Sequence, residues 1–253
     1  MKFSFVIPAH NEEALLGATI DALRRSAEEN GIDHELIVVD DGSTDRTAEI
    51  ALARRAKLVS VNHRKISAVR NAGAREALGD VLVFVDADTL VGADAVAGVV
   101  RAVEDGAVGG GARVVMESSV PLWGRIFANL VIRGYQQTGY AGGCFLFTRR
   151  QAFDAAGGFD ENYYATEEVH LSRALMRQGK FVIVRASVVT SGRKFRVFSP
   201  WAFLKLLARF VLGGGMRTVR RREGLEMWYE APREPPSTMS DAALPRNAQS
   251  PET

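Results

Sequence analysis

The stretch Val81–Asp88, which reads V-L-V-F-V-D-A-D, decides the fold class of this chain. Its five apolar residues follow Gly79-Asp80 and end abruptly at two carboxylates, a pattern typical of a strand buried on both faces of a parallel sheet. Ligands of open α/β sheets bind beyond the carboxyl ends of the strands, so we expect Asp86 and Asp88 at the mouth of a crevice. Because alternate side chains of an extended chain point the same way, both carboxylates should face one side.

Two carboxylates at such a position are suited to a hard divalent cation whose shell is completed by diphosphate oxygens. The plain alternative is a strand that ends in two solvated turn acids. The motif D-A-D is too short to choose between these interpretations, so the choice depends on the rest of the chain.

The length and composition of the chain limit the classes of protein to which it can belong. A chain of 253 residues is long enough for one sizeable α/β domain, and its net charge of +2 gives no reason to expect a nucleic-acid partner. The single cysteine, Cys144, fits a reducing cytoplasm, and we expect a core thiol rather than a nucleophile. Phe3–Ile7 is too short for the core of a signal peptide, and no apolar run is long enough to predict a transmembrane helix.

Strands and helices alternate in the first half of the chain, which predicts crossover connections and a mostly parallel sheet flanked by helices. Pro8 is expected to end the first strand, and Ser43 or Thr44 to cap the second helix. The predicted strands are Phe3–Ile7, Leu36–Val39, Leu58–Val61 and Val81–Val85, and the predicted helices are Glu12–Glu29, a helix from about Asp45, and Lys65–Leu78.

The second half continues with mixed elements. The three glycines of Gly109-Gly110-Gly111 indicate a bulge or a close approach to a ligand. Thr166 is the expected N-cap of a helix that starts with two acids. The predicted strands are Val108–Met116, Gly142–Phe147, Phe181–Val184 and Ser187–Val189, and the predicted helices are Ala93–Val103, Pro121–Arg133 and Thr166–Gln178.

Four ordered motifs resemble the N-terminal half of family 2 glycosyltransferases: F-V-I-P-A-H-N-E-E, V-V-D-D-G-S-T-D-R-T, A-V-R-N-A-G and F-V-D-A-D. The resemblance covers residues 3–90 and implies the nucleotide-sugar-binding fold called GT-A. A dinucleotide-binding dehydrogenase is not expected, because no G-x-G-x-x-G follows the first strand.

The resemblance also implies a site. Asp88, helped by Asp86, would bind Mn²⁺ or Mg²⁺. Arg70 is a candidate phosphate or base contact, although an exposed arginine on a helix is the ordinary interpretation. The residues assigned to the nucleotide sugar are Pro8, Ala9, Glu12, Asp41, Arg70, Asp86 and Ala87.

The sequence G-G-F-D-E at Gly157–Glu161, followed by an acid pair at a helix start, resembles the acceptor-side signature of the family. The family usually has Glu-Asp where this chain has Glu167-Glu168, so the resemblance puts Glu168 in the place of the catalytic base, with Glu167 as the alternative. Stabilisation of a helix N-terminus explains the same acids without catalysis. Gly142, Gly143 and Arg193 are assigned to the acceptor or diphosphate side, Arg193 in a polar loop, 191–194, that would close over the diphosphate.

The C-terminal part is basic. We predict a GT-A domain over residues 1–195, with a nucleotide-binding half at 1–90 and an acceptor half at 91–195, then a basic amphipathic extension at 196–231 and a disordered tail at 232–253. The apolar run Trp201–Leu212 beside an arginine cluster suits an anionic bilayer surface, and packing onto the domain is an equally good interpretation.

The implied reaction is metal-dependent transfer of a sugar from a nucleotide-diphosphate sugar to a hydroxyl acceptor, with inversion at the anomeric carbon. A lipid-linked acceptor and a peripheral position on the inner face of the membrane would fit the extension. One rival is a non-catalytic binding module of the same fold, suggested by glutamate in place of aspartate at position 168. A nucleotidyltransferase is the second rival, and it would need a Gly-rich basic loop that P-A-H-N-E-E does not provide.

Overall fold

The computed structural model describes residues 1–118, 120–203 and 205, and in this part of the chain a single mixed sheet forms the centre. Its strands are β1 Lys2–Ala9, β2 Asp33–Asp41, β3 Lys57–Val61, β4 Val81–Val85, β5 Thr89–Leu90, β6 Gly109–Met116, β7 Phe145–Arg149 and β8 Phe181–Thr190. The helices are α1 Leu16–Glu29, α2 Thr47–Ala53, α3 Ile66–Glu76, α4 Ala93–Glu104, α5 Leu122–Gln137, α6 Arg150–Ala156, α7 Glu167–Met176 and α8 Arg193–Val197.

The strand order is β3-β2-β1-β4-β7-β6-β8-β5. The β1–β2, β1–β4, β2–β3 and β6–β8 pairs are parallel, whereas β4–β7, β6–β7 and β5–β8 are antiparallel. The predicted fold class, a mostly parallel α/β sheet flanked by helices, is confirmed. Because β1, β2 and β4 run in parallel, their carboxyl ends meet at one edge of the sheet, and this edge carries the site.

Strand β4 lies at the centre and is buried along its whole length, as the sequence predicts. Val81, Val83 and Val85 belong to a core shared with α1, α2 and α4, whereas Leu82 and Phe84 belong to a second core shared with α3, α6 and α7. Apolar side chains on both faces explain why this strand is a continuous apolar run rather than an alternating one.

Pro8 does not end the first strand as predicted, because β1 continues through Pro8, which pairs with Val39, to Ala9. The pairing of β1 with β4 ends at Val6, so the missing N–H of Pro8 costs no hydrogen bond on that side. The first helix in turn begins at Leu16 rather than Glu12, and the carbonyl of Glu12 accepts the N–H of Leu16.

The prediction of two short strands at 181–184 and 187–189 is wrong, because β8 is continuous. Its register against β6 shifts where Ala112 pairs with Val184 and the next residue, Arg113, pairs with Ser187. This bulge leaves Arg185 and Ala186 without partners on β6, which explains the apparent break in the apolar pattern.

The glycines of β6 approach neighbouring protein segments and not a ligand. A Cβ on Gly110 would lie 1.9 Å from the carbonyl oxygen of Val182, and one on Gly111 would lie 2.8 Å from Cβ of Ala141. Only glycine permits this separation, so these residues set the spacing of the sheet rather than forming part of a binding site.

The predicted division into domains stays a prediction. Pro200 to Phe203 and Lys205 are helical, in agreement with a helix start at Ser199-Pro200. The rest of the Trp201–Leu212 run, the arginine cluster and the tail from residue 232 lie outside the described residues. Within the described part, no helix combines the length and the apolar character needed to cross a bilayer.

Candidate active site

A cavity of about 450 Å³ lies at the carboxyl ends of β1, β2 and β4. The predicted site residues that line it are Pro8, Ala9, Glu12, Asp41, Arg70, Asp86, Ala87, Asp88, Gly143, Glu167, Glu168 and Arg193. Gly142 is the exception among the predicted residues. Its position is packed against β6, where an added Cβ would lie 3.0 Å from Val114. Glu12 and Arg193, which are 181 positions apart in sequence, thus both lie at one cavity beside the edge where the parallel strands end.

Arg70 connects the two sides of this cavity. It is only 2% exposed, contrary to the expectation of a solvated helix residue. Its Nη2 donates to Asp86 Oδ1 at 2.8 Å and to the carbonyl of Gly143 at 2.6 Å, and its Nη1 donates to Glu167 Oε1 at 2.7 Å. Its pKa is further raised by Asp86 and Glu167 against the effect of burial, so it remains a cation. Arg70 therefore holds the end of β4 to the first turn of α7.

The two glutamates of α7 differ in their surroundings. Glu167 is buried in its ion pair with Arg70, whereas Glu168 makes no ion pair within the described part of the chain. Burial, followed by the neighbouring charge of Glu167, raises the pKa of Glu168 to about 8. The Glu168 carboxyl group lies beside Gly143, whose hypothetical Cβ would be 3.6 Å from Glu168 Cδ. Of the two, Glu168 is the carboxyl group that remains for a ligand.

Thr166, the predicted cap of α7, does not cap it. Its φ of +67° is left-handed, its side chain makes no capping hydrogen bond, and its buried hydroxyl has no partner in the described structure. A β-branched residue adopts this conformation only where its surroundings enforce it. The strain sits directly before Glu167 and Glu168 and sets the direction in which α7 begins.

On the other side of the cavity, Arg193 forms a two-pronged pair with Glu12, with distances of 2.8 and 2.6 Å. Its Nη2 also lies 3.5 Å from Asp88 Oδ2. Arg193 opens helix α8, so the predicted polar loop at 191–194 is wrong: Ser191 and Gly192 precede the helix, and Arg193 and Lys194 belong to it. The arginine thus ties the C-terminal segment to the β1–α1 loop.

The surroundings of Asp88 favour the binding of a cation. Burial raises its pKa to about 6, with Arg193 opposing and Glu12 and Asp86 adding to the rise. No cluster of three or more acid, histidine or cysteine side chains able to hold a metal occurs among the described residues. A divalent ion would therefore take Asp88, with Asp86 beside it, and fill its shell from diphosphate oxygens and water, as Mg²⁺ commonly does. The residues fit such an ion, because a cation relieves the repulsion among these carboxylates.

Asp41 is held by the loop that follows β3. Its Oδ1 accepts the backbone N–H groups of His63 at 2.6 Å and Arg64 at 3.1 Å, which fixes the loop after β3. Its carbonyl contacts His10 Nδ1 at 2.8 Å. The carboxylate is therefore held in place by backbone donors before any ligand arrives.

Ser43 and Thr44 are not helix caps as predicted. Ser43 Oγ accepts the N–H of Asn11 at 2.9 Å, and the N–H of Thr44 donates to Asn11 Oδ1 at 2.7 Å. The N-cap position of α2 is Arg46, without a side-chain bond. The polar residues after β2 therefore connect the loops that follow β1 and β2.

Several cavity residues were missed by the sequence analysis. The basic ones follow strand ends, and the run His63-Arg64-Lys65 after β3 was the signal that could have revealed two of them. Lys65 Nζ lies 4.2 Å above the ring of Tyr164, across the cavity. The polar, charged and larger apolar residues among them include His10, Arg64, Lys65, Met116, Tyr164, Thr166, Lys194 and Phe195.

Cys144 also lines the cavity. Burial and the charges of Asp86 and Asp88 raise its pKa, so the thiolate needed of a nucleophile is disfavoured. His170 is stacked on Tyr163 with 3.9 Å between ring centroids. Neither residue has the surroundings of a reactive group.

A cavity edged with carboxylates at the strand ends of this sheet defines a nucleotide-sugar-binding fold of the GT-A type. The chain belongs to glycosyl transferase family 2, whose family model matches residues 4–157. The resemblance seen in the four sequence motifs is thereby confirmed.

Individual relatives match over shorter stretches. An undecaprenyl-phosphate 4-deoxy-4-formamido-L-arabinose transferase of Pectobacterium carotovorum is 38% identical over 93 residues, which cover 34% of this chain and 28% of that protein. A glucosyl-3-phosphoglycerate synthase of Mycobacterium tuberculosis is 39% identical over 95 residues, covering 34% and 29%. The matched stretch thus spans less than a third of the length of these curated relatives.

Among solved structures, the mannosyltransferase PcManGT of Pyrobaculum calidifontis, in complex with GDP-Man and Mn²⁺, superposes with a TM-score of 0.64. The match covers 90% of this chain and 67% of that one, at 18% identity. At this identity the likeness shows the fold, and it extends well beyond the stretch that the sequence relatives cover.

Proposed function

We propose that this chain transfers a sugar from a nucleotide-diphosphate sugar to a hydroxyl acceptor, with a divalent metal and with inversion at the anomeric carbon. The observation that supports the proposal is the Arg70 bridge, which joins Asp86, just after β4, to Glu167 of α7 at one cavity. A glycosyl transfer needs acids at both sites, one set for the diphosphate and its metal and one for the acceptor.

The residues of the cavity have separate proposed roles in this transfer. Asp41 and the loops after β1 and β3 hold the nucleoside, and Arg64, Lys65 and Lys194 provide positive charge near the phosphates. Asp88, with Asp86 beside it, would hold the metal, and the chemistry that a divalent cation would supply there is neutralisation of charge on the leaving diphosphate. Glu168 accepts the proton of the acceptor hydroxyl as its oxygen attacks the anomeric carbon from the side opposite the diphosphate. The bond from that carbon to the diphosphate oxygen breaks as the new bond forms.

The proposed acceptor is presented by a membrane lipid. One relative is named for undecaprenyl-phosphate, which supports a lipid-linked acceptor, whereas another is named for 3-phosphoglycerate, a small anion. The basic character of the chain from Arg193 onwards favours the lipid, because a membrane surface rich in anionic lipid attracts such a segment. The proposed location is accordingly peripheral, at the cytoplasmic face of the membrane.

The test is a transfer assay with a panel of nucleotide sugars, with Mn²⁺, Mg²⁺ or chelator, and with either a polyprenyl-linked acceptor that carries a free hydroxyl or 3-phosphoglycerate as acceptor. We expect metal-dependent product with one donor and the lipid acceptor, and a single anomeric configuration opposite to that of the donor. Donor binding without transfer to any acceptor would show instead a non-catalytic binding module.

A further inference from the structure

Helix α5 presents apolar side chains to solvent. Leu122, Ile126 and Leu130 are 70%, 56% and 70% exposed. They recur at every fourth position, so they form one stripe along a single face of the helix. A contiguous exposed apolar stripe of this kind marks an interaction site far more often than an isolated exposed leucine does.

The charges around the stripe have one sign. Arg125 and Arg133 are also exposed on α5, and the 16 residues of this helix include no aspartate or glutamate. We call the surface formed by Leu122, Arg125, Ile126, Leu130 and Arg133 the α5 surface. Trp201, in the helical turn after α8, is 72% exposed. Its side chain is amphipathic, of the kind found at membrane interfaces.

The other face of α5 is packed next to the cavity. The rings of Trp123 and Phe127 lie 5.9 and 6.4 Å from that of Phe195, which lines the cavity. Gly124 allows this approach, since an added Cβ would lie 3.0 Å from Phe195 Cβ. The α5 surface is therefore separated from the cavity wall by roughly the 10 Å diameter of one helix.

We infer that the α5 surface docks the protein on an anionic lipid bilayer and holds the cavity at the depth where a lipid-borne acceptor reaches it. The inference rests on the proposed transfer to a membrane acceptor and names the surface responsible. An apolar stripe flanked only by arginines matches the acyl boundary and the anionic headgroups together. Docking of a protein partner or of a second copy of the chain would not explain why all the charges that flank the stripe are positive.

The experiment is co-sedimentation of the full chain with vesicles of phosphatidylcholine, alone or mixed with phosphatidylglycerol. The test variant is Leu122→Gln/Ile126→Gln/Leu130→Gln. The matched control is Leu52→Gln/Leu78→Gln, which alters leucines that are 59% and 74% exposed on α2 and after α3. We expect the wild type and the control to bind mixed vesicles at low salt, and the triple variant to bind at least about tenfold more weakly. Arg125→Glu/Arg133→Glu should abolish the preference for phosphatidylglycerol, and it serves as the test if the triple variant fails to fold.

Equal binding of the triple variant and the wild type would overturn the inference, as would absence of wild-type binding to any vesicle. A wild-type dimer that the triple variant converts to a monomer would also overturn it, because the surface would then serve a second copy. Thermal stabilisation by nucleotide diphosphate and Mn²⁺ is measured in parallel, since the α5 variants leave the cavity intact. Vesicle binding without nucleotide binding would support the docking surface while refuting the proposed transfer, so the two failures are distinguishable.

Discussion

Glu168 illustrates how a single carboxyl group is tuned by its neighbours. Its neighbour in sequence, Glu167, is ion-paired with Arg70, whereas Glu168 makes no ion pair within the described residues, and desolvation of its carboxyl group together with the charge of Glu167 raises its pKa to about 8. A base with a raised pKa accepts a proton more readily, at the cost of being protonated in part at neutral pH.

We predict that Glu168→Gln lowers kcat by roughly 10²- to 10⁴-fold and leaves donor affinity nearly unchanged, because its proposed role is to deprotonate the acceptor and not to bind the nucleotide. Steady-state kinetics and nucleotide titration measure the two effects. Since the reacting form is the carboxylate, kcat/KM of the wild type should rise as the pH increases through about 8. Glu168→Asp should remain active, because it restores the residue usual in the family.

The raised pKa of Glu168 also determines how the contribution of this residue to stability changes with pH. The folded pKa of Glu168 lies above its value of 4.5 in the unfolded chain, so the folded state holds the extra proton between these two values. The contribution of Glu168 to stability therefore falls as the pH rises from about 4.5 to 8. Glu168→Gln should raise Tm more at pH 8.5 than at pH 5. An equal change at both pH values would contradict the assigned surroundings.

A further prediction concerns the contribution of Arg70 to stability. Arg70→Met leaves two carboxylates at the end of β4 and the start of α7 without their cation, and we expect a loss of about 3–5 kcal/mol in the free energy of unfolding. Urea titration measures it. Arg46→Met is the matched control, because the pair of Arg46 with Glu49 is fully at the surface and should contribute less than about 1 kcal/mol. A similar loss of unfolding free energy in the two variants would show that the Arg70 bridge contributes no more to stability than a surface ion pair.

At the scale of elements, the start of α7 decides where the acids point. Thr166 provides the turn with a left-handed backbone and no capping bond, an arrangement that ordinary helix chemistry avoids. Because a side chain in the left-handed region costs roughly 1–2 kcal/mol, the element stores strain directly before the candidate base.

We predict that Thr166→Gly increases the free energy of unfolding by about 1 kcal/mol, since glycine adopts this conformation without the penalty. Chemical denaturation measures the effect. Thr166→Ala removes the hydroxyl but keeps the left-handed strain, so it should not reproduce the gain. If the alanine variant is stabilised as much as the glycine variant, the buried hydroxyl and not the backbone is the source of the cost.

At the scale of the whole molecule, the donor site depends on segments from both ends of the described chain. Glu12 in the β1–α1 loop and Arg193 in α8 meet beside Asp88, so a cation at Asp88 would be bound where an arginine now stands. Helix α8 contributes Phe195 as well as Arg193 to the wall of this cavity.

We predict that Asp88→Ala abolishes the metal-dependent part of nucleotide-diphosphate binding and that Asp86→Ala weakens it. A ligand at 100 times its Kd raises stability by roughly 2.7 kcal/mol, so a thermal-shift titration with and without Mn²⁺ detects the loss. Glu49→Ala, a surface acid on α2, is the control and should bind as the wild type does. A Mn²⁺-dependent shift of full size in Asp88→Ala would exclude this residue as the metal ligand.

The sequence by itself determined the strands that carry the site. The apolar run of β4 and the acids at the ends of β2 and β4 are local patterns, and a parallel sheet brings strand ends to one edge whatever the details of packing. For the same reason, the acids Asp41, Asp86 and Asp88 were predictable as cavity residues, since they lie at or directly after strand ends. The family resemblance added Glu168, which no spacing rule would have selected.

Only the tertiary structure decided what those residues do to one another. The burial of Arg70 between Asp86 and Glu167, the pairing of Arg193 with Glu12, and the strained backbone of Thr166 join segments 16 to 181 positions apart or oppose local preference. Local propensity rules describe neighbours in sequence, and they predicted a cap at Thr166, a loop at Arg193 and a solvated Arg70. The pKa of a carboxyl group depends on burial and on charges in three dimensions, so the difference between Glu167 and Glu168 emerges only once the chain has folded.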